Sequence, residues 1–180
     1  MNNLPQELRK WLGENTRLGG VAGVRMMKKS ADGSYKFLFD LDDGKLVETV
    51  LMPDKERGYW TQCLSSQVGC AVDCKFCVTG KNGFQRHMRA DEIADQVLYA
   101  RRYLLEHEAE PNYRNLVYMG MGEPLLNTEA VIKSIQLVTS EEGINLSPRR
   151  VTVSTSGIIP GIKKLSDAET GVCLAVSLNA

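Results

Sequence analysis

No run of about eighteen consecutive apolar residues occurs in this 180-residue chain, which excludes a membrane-spanning helix. Neither sign of charge is in excess: 22 basic residues against 22 acidic ones leave a formal net charge of +0. That balance excludes a simple polycation that coats nucleic acid by charge alone, but not an RNA enzyme with a local basic patch. The opening Met1-Asn2-Asn3-Leu4-Pro5 lacks the basic-then-apolar order of an export signal, so a reducing, cytoplasmic setting is expected. No internal repeat or low-complexity tract is present. What remains is ordinary globular composition, 43% apolar and 24% charged. A chain of this size can withdraw roughly 70% of its surface from water.

The hydrophobic rhythm divides the chain. Leu4 to Leu18 reads as a packing helix, with Pro5 at its first turn, Leu8, Trp11 and Leu12 at helical spacing, and Gly19-Gly20 as its stop. From Val21 to Met52, alternating runs are separated by Ala31-Asp32-Gly33-Ser34 and Asp42-Asp43-Gly44-Lys45. Two Asp-Gly turns between such runs predict a three-stranded antiparallel meander, because Gly accepts the positive φ the turns need. Pro53 to Arg57 is a charged link, giving a division into residues 1–57 and 58–180.

Beyond Tyr59 strands alternate with helices. Strands are expected at Trp60–Ser66, Asn115–Met119, Val151–Ser154 and Cys173–Leu178. Helices are expected at Asp91–Glu108, Thr128–Thr139 and Gly161–Leu165. Asp91 is the expected N-cap of the first, with Ile93, Val97, Ala100 and Leu104 on its buried face. Such alternation predicts an α/β fold with a parallel sheet and right-handed crossovers. A closed βα-barrel needs about 250 residues, so the expectation is a partial barrel of four βα units and a segment of a longer protein.

The five cysteines carry the chemistry. Cys70, Cys74 and Cys77 lie in Cys70-Ala71-Val72-Asp73-Cys74-Lys75-Phe76-Cys77, spaced CxxxCxxC. Thiolates are soft ligands for zinc and iron–sulfur clusters. Three on one loop can hold three corners of a cubane cluster and leave one iron open to a small molecule. Structural zinc completed by Cys63 or His87 is the alternative, in which case the chain is a zinc-stabilised binding module. Cys173 reads as a small buried hydrophobe in a strand. Phe84, Arg86, His87, Met88 and Arg89 form a basic-aromatic patch, and Arg149-Arg150 a second; either could meet phosphates or be ordinary solvated surface.

The cysteine trio, with Phe76 before its last member, resembles the signature of radical S-adenosylmethionine enzymes. Further motifs resemble one family within them, the adenine-C2 RNA methyltransferases: Cys63-Leu64-Ser65-Ser66-Gln67-Val68-Gly69-Cys70, Cys77-Val78-Thr79-Gly80, Gly83-Phe84, Arg89, Met119 to Asn127, and Val151 to Gly157. The resemblance runs from about Leu4 to Ala180. It implies a 4Fe-4S cluster on Cys70, Cys74 and Cys77, and S-adenosylmethionine held by Gly122, Glu123, Ser154, Ser177, Leu178 and Asn179. The family often has His where Asn179 stands. Glu48 matches a proposed general base, with Glu56 as the second candidate. Cys63 matches a catalytic thiol that forms a transient disulfide with a methyl-carrying cysteine near the family's C-terminus; no counterpart of that cysteine is found here.

The implied reaction adds a methyl-derived carbon to carbon 2 of an adenine in large-subunit ribosomal RNA and transfer RNA. A flavodoxin or ferredoxin is the implied electron donor, and a monomer without membrane partners is expected. Methylation of carbon 8, the antibiotic-resistance activity, shares the same motifs.

Overall fold

The computed structural model describes residues 4–16, 19–109 and 111–178. Strands β1 (Val21–Lys29), β2 (Tyr35–Leu41) and β3 (Leu46–Asp54) form the expected meander. Its turns use the predicted glycines, Gly33 at φ 96° and Gly44 at φ 78°. Asp32 accepts the Ser34 N–H at 2.9 Å and so closes the first turn on itself.

The meander does not stand apart from the barrel. Strand β4 (Tyr59–Cys63) pairs antiparallel with β3, then parallel with β7 (Tyr113–Tyr118). Strands β8 (Val151–Thr155) and β9 (Cys173–Val176) extend that parallel run. The result is one seven-stranded sheet in the order β1-β2-β3-β4-β7-β8-β9. Helices α3 (Ala90–His107), α4 (Thr128–Thr139) and α5 (Ile159–Asp167) make the three crossovers. The fourth parallel strand has no helix after it among the described residues.

One face of the sheet is fully covered and the other is half-buried. Ile93, Val97, Ala100 and Leu104 of α3 are each 0% exposed, as the helical spacing predicts. They pack with Phe37, Phe39, Val47, Leu51, Leu116, Val151 and Val153. Phe37 meets Tyr103 edge-on at 5.2 Å between ring centroids, and Phe39 meets Tyr99 at 5.3 Å. Alternation along each strand sends Glu48, Val50, Cys63, Thr152 and Ser154 to the opposite, half-buried face.

Several expectations need correction. Helix α1 (Gln6–Asn15) forms, but it buries no residue and leaves Leu8 and Trp11 exposed; its apolar spacing makes a helix without supplying a partner. The N-cap of α3 is Arg89, not Asp91: Glu92, at the third helical position, accepts the Arg89 N–H at 2.8 Å, while the Arg89 side chain, which has no acceptor, makes no cap bond of its own. Cys173 is exposed rather than buried, because β9 is the outer strand of the sheet. Arg86 is not a free phosphate ligand. Its guanidinium binds the buried carboxylate of Glu92 through two 2.8 Å hydrogen bonds, and its Nε meets Asp43 at 2.7 Å. Arg89 is likewise held by Asp91 at 2.9 Å.

Candidate metal and cofactor site

The cysteine loop grows out of a hairpin that the alternation pattern does not reveal. Strand β4 ends at Cys63 rather than continuing to Ser66, and the chain turns into β5 (Gln67–Gly69), which pairs antiparallel with β6 (Phe84–His87). Gly69 has φ 74°, and a side chain there would overlap the Gly83 carbonyl, so the base of the loop admits only glycine. Cys70 N–H donates to that same carbonyl at 3.2 Å. Within the loop, Cys77 N–H donates to Cys74 O at 3.0 Å, and Val72 N–H donates to Cys70 Sγ at 3.4 Å. A single helical turn, α2 (Val78–Lys81), returns the chain to the hairpin.

At the carboxyl ends of the parallel strands, Cys70, Cys74 and Cys77 line one cavity of ≈ 240 Å³ together with Gly122, Glu123, Ser154 and Ser177. Seven of the expected residues are thus brought to one place. Phe76, Met119, Gly120, Thr155 and Ser156 are among the residues that share its walls. A larger cavity of ≈ 380 Å³ lies between His87, Asn127, Glu129, Pro160 and Lys164, and no thiol lines it.

Glu123 is 5% exposed. Its carboxylate accepts the Leu125 N–H at 3.0 Å and the Ser156 N–H at 2.8 Å, which ties the loop after β7 to the loop after β8. The carboxylate is therefore already engaged with the main chain, and only its remaining lone pairs face the cavity. Gly120 packs so closely on Leu64 that a Cβ would lie 2.6 Å from the Leu64 carbonyl oxygen. Gly122 packs as closely on Gln67, where a Cβ would lie 2.5 Å from Gln67 Cβ, so both glycines are required by close packing beside the site.

The remaining expected residues lie elsewhere. Glu48 is half-exposed on β3, with both carboxylate oxygens 3.3 Å from Lys36 Nζ. Glu56 sits exposed in the β3–β4 turn. Cys63 does not line the cavity, but the pairing of Val50 with Cys63 puts it on the same sheet face as Glu48. Burial pushes the Cys63 thiol up, with the Met119 amide opposing in part, so it is not the low-pKa exposed thiol that suits rapid exchange. Burial also raises Cys70, with the Val72 amide opposing. Leu178 is 91% exposed and outside the cavity, and Asn179 lies outside the described residues. All five cysteines are free thiols, so no disulfide joins Cys63 to another residue.

A buried polar scaffold beneath the loop was not anticipated. Gln96 accepts the Ser65 N–H at 3.0 Å and donates to the Ser65 carbonyl at 2.9 Å. Asn127 donates to Ser66 O at 2.9 Å and to Met88 O at 2.8 Å. Only the run Ser65-Ser66-Gln67, polar where a buried strand should be apolar, marks it in the sequence.

The donor set fits a sulfur-ligated cluster. Three half-buried free thiols on one loop face a cavity whose opposite wall carries hydroxyls, a carboxylate and glycines. Neither Cys63 nor His87 lines the cavity with the trio, so neither stands beside the three thiols as a fourth ligand there.

A parallel sheet carrying three loop cysteines above its carboxyl edge defines a class, and comparison agrees with it. Residues 64–180 match the sequence model of the Radical SAM superfamily, and the chain belongs to that superfamily. More particularly, it is 47% identical over 186 residues to the probable dual-specificity RNA methyltransferase RlmN of Syntrophomonas wolfei, covering 100% of this chain and 52% of that protein. It is 50% identical to the dual-specificity RNA methyltransferase RlmN of Oleidesulfovibrio alaskensis, covering 100% of this chain and 50% of the relative. The crystal structure of a radical SAM methyltransferase from Sphaerobacter thermophilus superposes with a TM-score of 0.90 at 42% identity, covering 98% of this chain and 51% of that one. The chain thus spans about half the length of these relatives. Among its described residues no helix is long and apolar enough to cross a membrane.

Proposed function

We propose that the chain carries the cofactor-binding part of a cytoplasmic radical methyltransferase acting on carbon 2 of an adenine in ribosomal and transfer RNA. The single observation that carries this reading is the convergence of Cys70, Cys74 and Cys77 with Glu123, Ser154 and Ser177 on one cavity. The residues lining that cavity all fall within 58–180. The names of the relatives support the RNA substrates.

Cys70, Cys74 and Cys77 would hold a 4Fe-4S cluster through three of its irons. When bound, that cluster supplies the single electron for homolytic cleavage of S-adenosylmethionine, chemistry suited to a carbon that is not nucleophilic. The chain's own part is to hold and orient. Gly122 and Glu123 offer main-chain groups and carboxylate lone pairs toward an ammonium, and Ser154 and Ser177 offer hydroxyls toward ribose or carboxylate oxygens. Leu178 and Asn179 follow Ser177 in the same segment. We assign Glu48 the general base and Cys63 the thiol that acts on the enzyme–RNA adduct; their shared sheet face supports this pairing. The protein works as a monomer and takes its electron from a flavodoxin or ferredoxin.

Anaerobic reconstitution tests the reading. Iron and sulfide should bind in equal amounts, Cys74→Ala should abolish both, and S-adenosylmethionine should change the spectrum of the reduced protein. Zinc without sulfide overturns it. For the RNA step, mass spectrometry of nuclease-digested RNA from the full-length protein should show 2-methyladenosine; product at carbon 8 refutes the assignment of the carbon.

A further inference from the structure

Gln67 belongs to neither the ligand set nor the cavity wall, yet it is 0% exposed and touches both halves of the site. Its side-chain oxygen accepts the Glu123 N–H at 2.9 Å and the Ala71 N–H at 3.4 Å. Both partners are donors, so the oxygen rather than the nitrogen faces them. The amide nitrogen is thereby aimed at His87 Nδ1, 3.1 Å away, which makes that ring nitrogen the acceptor and puts the imidazole proton on Nε2.

The aliphatic stem is engaged as well. A Cβ on Gly122 would lie 2.5 Å from Gln67 Cβ, and Gly122 sits at φ 101°. The Gln67 main chain donates to Met121 O at 3.2 Å and pairs with His87 across the hairpin. One side chain therefore reaches the residue following Cys70, the two residues assigned to the cofactor, and the strand that closes the cysteine loop. Buried hydrogen bonds of this kind are costly to leave unmade, which keeps the parts in fixed relation.

We infer that Gln67 is a positioning residue: it fixes the offset between the cysteine loop and the Gly122–Glu123 turn, and so sets the seat of S-adenosylmethionine against the cluster without contacting either. The inference rests on the proposed function and deepens it. A plain core-filling role makes a different prediction, because Gln67→Met preserves length and packing against Gly122 while removing all three hydrogen bonds.

The test uses the anaerobically reconstituted protein and S-adenosylmethionine itself as the probe. Gln67→Met should load iron and sulfide as the parent does, while the midpoint of the S-adenosylmethionine titration, followed in the spectrum of the reduced cluster, rises roughly 10- to 100-fold. An unchanged midpoint overturns the inference. If Gln67→Met fails to fold or load, the exposed His87→Ala decides. It removes the acceptor that orients the amide, and a midpoint raised about threefold or more supports the inference while an unchanged one overturns it. A parent protein that binds no iron, or binds it without any response to S-adenosylmethionine, fails the proposed function instead and takes this inference with it.

Discussion

Glu123 accepts the main-chain N–H of Ser156 at 2.8 Å, across the gap between the loops after β7 and β8. The same carboxylate takes the Leu125 N–H. Glu123→Ala strands the buried Leu125 N–H, at a cost of about 1–3 kcal/mol, and the part-buried Ser156 N–H, at a smaller one. Urea unfolding of the cluster-free protein should register that loss. Glu123→Gln should fall between the two, since an amide can accept from one donor but presents its own N–H to the other. A Glu123→Ala protein as stable as the parent would show that the bridge holds nothing together.

Gly69 meets the Gly83 carbonyl at the neck of the cysteine loop. Gly69→Ala must open that neck as well as adopt φ 74°, a backbone strain of about 1–3 kcal/mol before any clash. The expected outcome is loss of iron uptake on reconstitution with the seven-stranded sheet retained by circular dichroism. Normal iron uptake would mean that the loop forms its thiol array without a fixed neck.

Asp43, on the meander, is lowered to about 2, first by its hydrogen bond from Arg86. Its folded pKa lies below the unfolded value of about 3.9. The unfolded chain therefore binds the proton first, and the stabilisation, present above about 4, fades as pH falls toward about 2. Asp43→Asn should be less stable than the parent at neutral pH and converge with it as pH falls through that window; the difference is small, because the Asp43 side chain is 39% exposed and solvent screens the pair. Chemical denaturation between pH 5 and pH 2 reads this directly.

Thiol labelling separates two cysteines outside the trio. Cys173 is exposed, whereas Cys63 is half-buried with its thiol raised by that burial. Iodoacetamide at neutral pH should modify Cys173 well before Cys63, as peptide mass spectrometry can follow. Cys63→Ala should leave iron content unchanged, since Cys63 does not line the cavity; loss of metal in that variant would revive the zinc alternative.

The parts of the fold legible from sequence are those set by short-range pattern. The two Asp-Gly turns, the apolar face of α3 and the limits of α4 follow from local geometry, and the CxxxCxxC spacing marks its loop without a structure. The parts missed depend on distant partners. Arg86 reads as surface charge because nothing in the local sequence places Asp43 and Glu92 beside it. Gln67 and Asn127 stand in the motif runs without any sign of burial, although their neighbours across the fold bury both. Ser156 reaches the site because it follows β8, and its role is performed by its N–H, which every residue but proline carries.

The antiparallel pairing of β3 with β4 gives the first fifty-odd residues a protective duty toward the rest. Were the chain cut at Gly58, the outermost donors and acceptors of β4 would be left bare. Such an unshielded rim recruits foreign strands, so a shortened version should precipitate or self-associate even with its thiol loop intact. Any attempt to trim the protein to residues 58–180 must therefore supply another cover for that border.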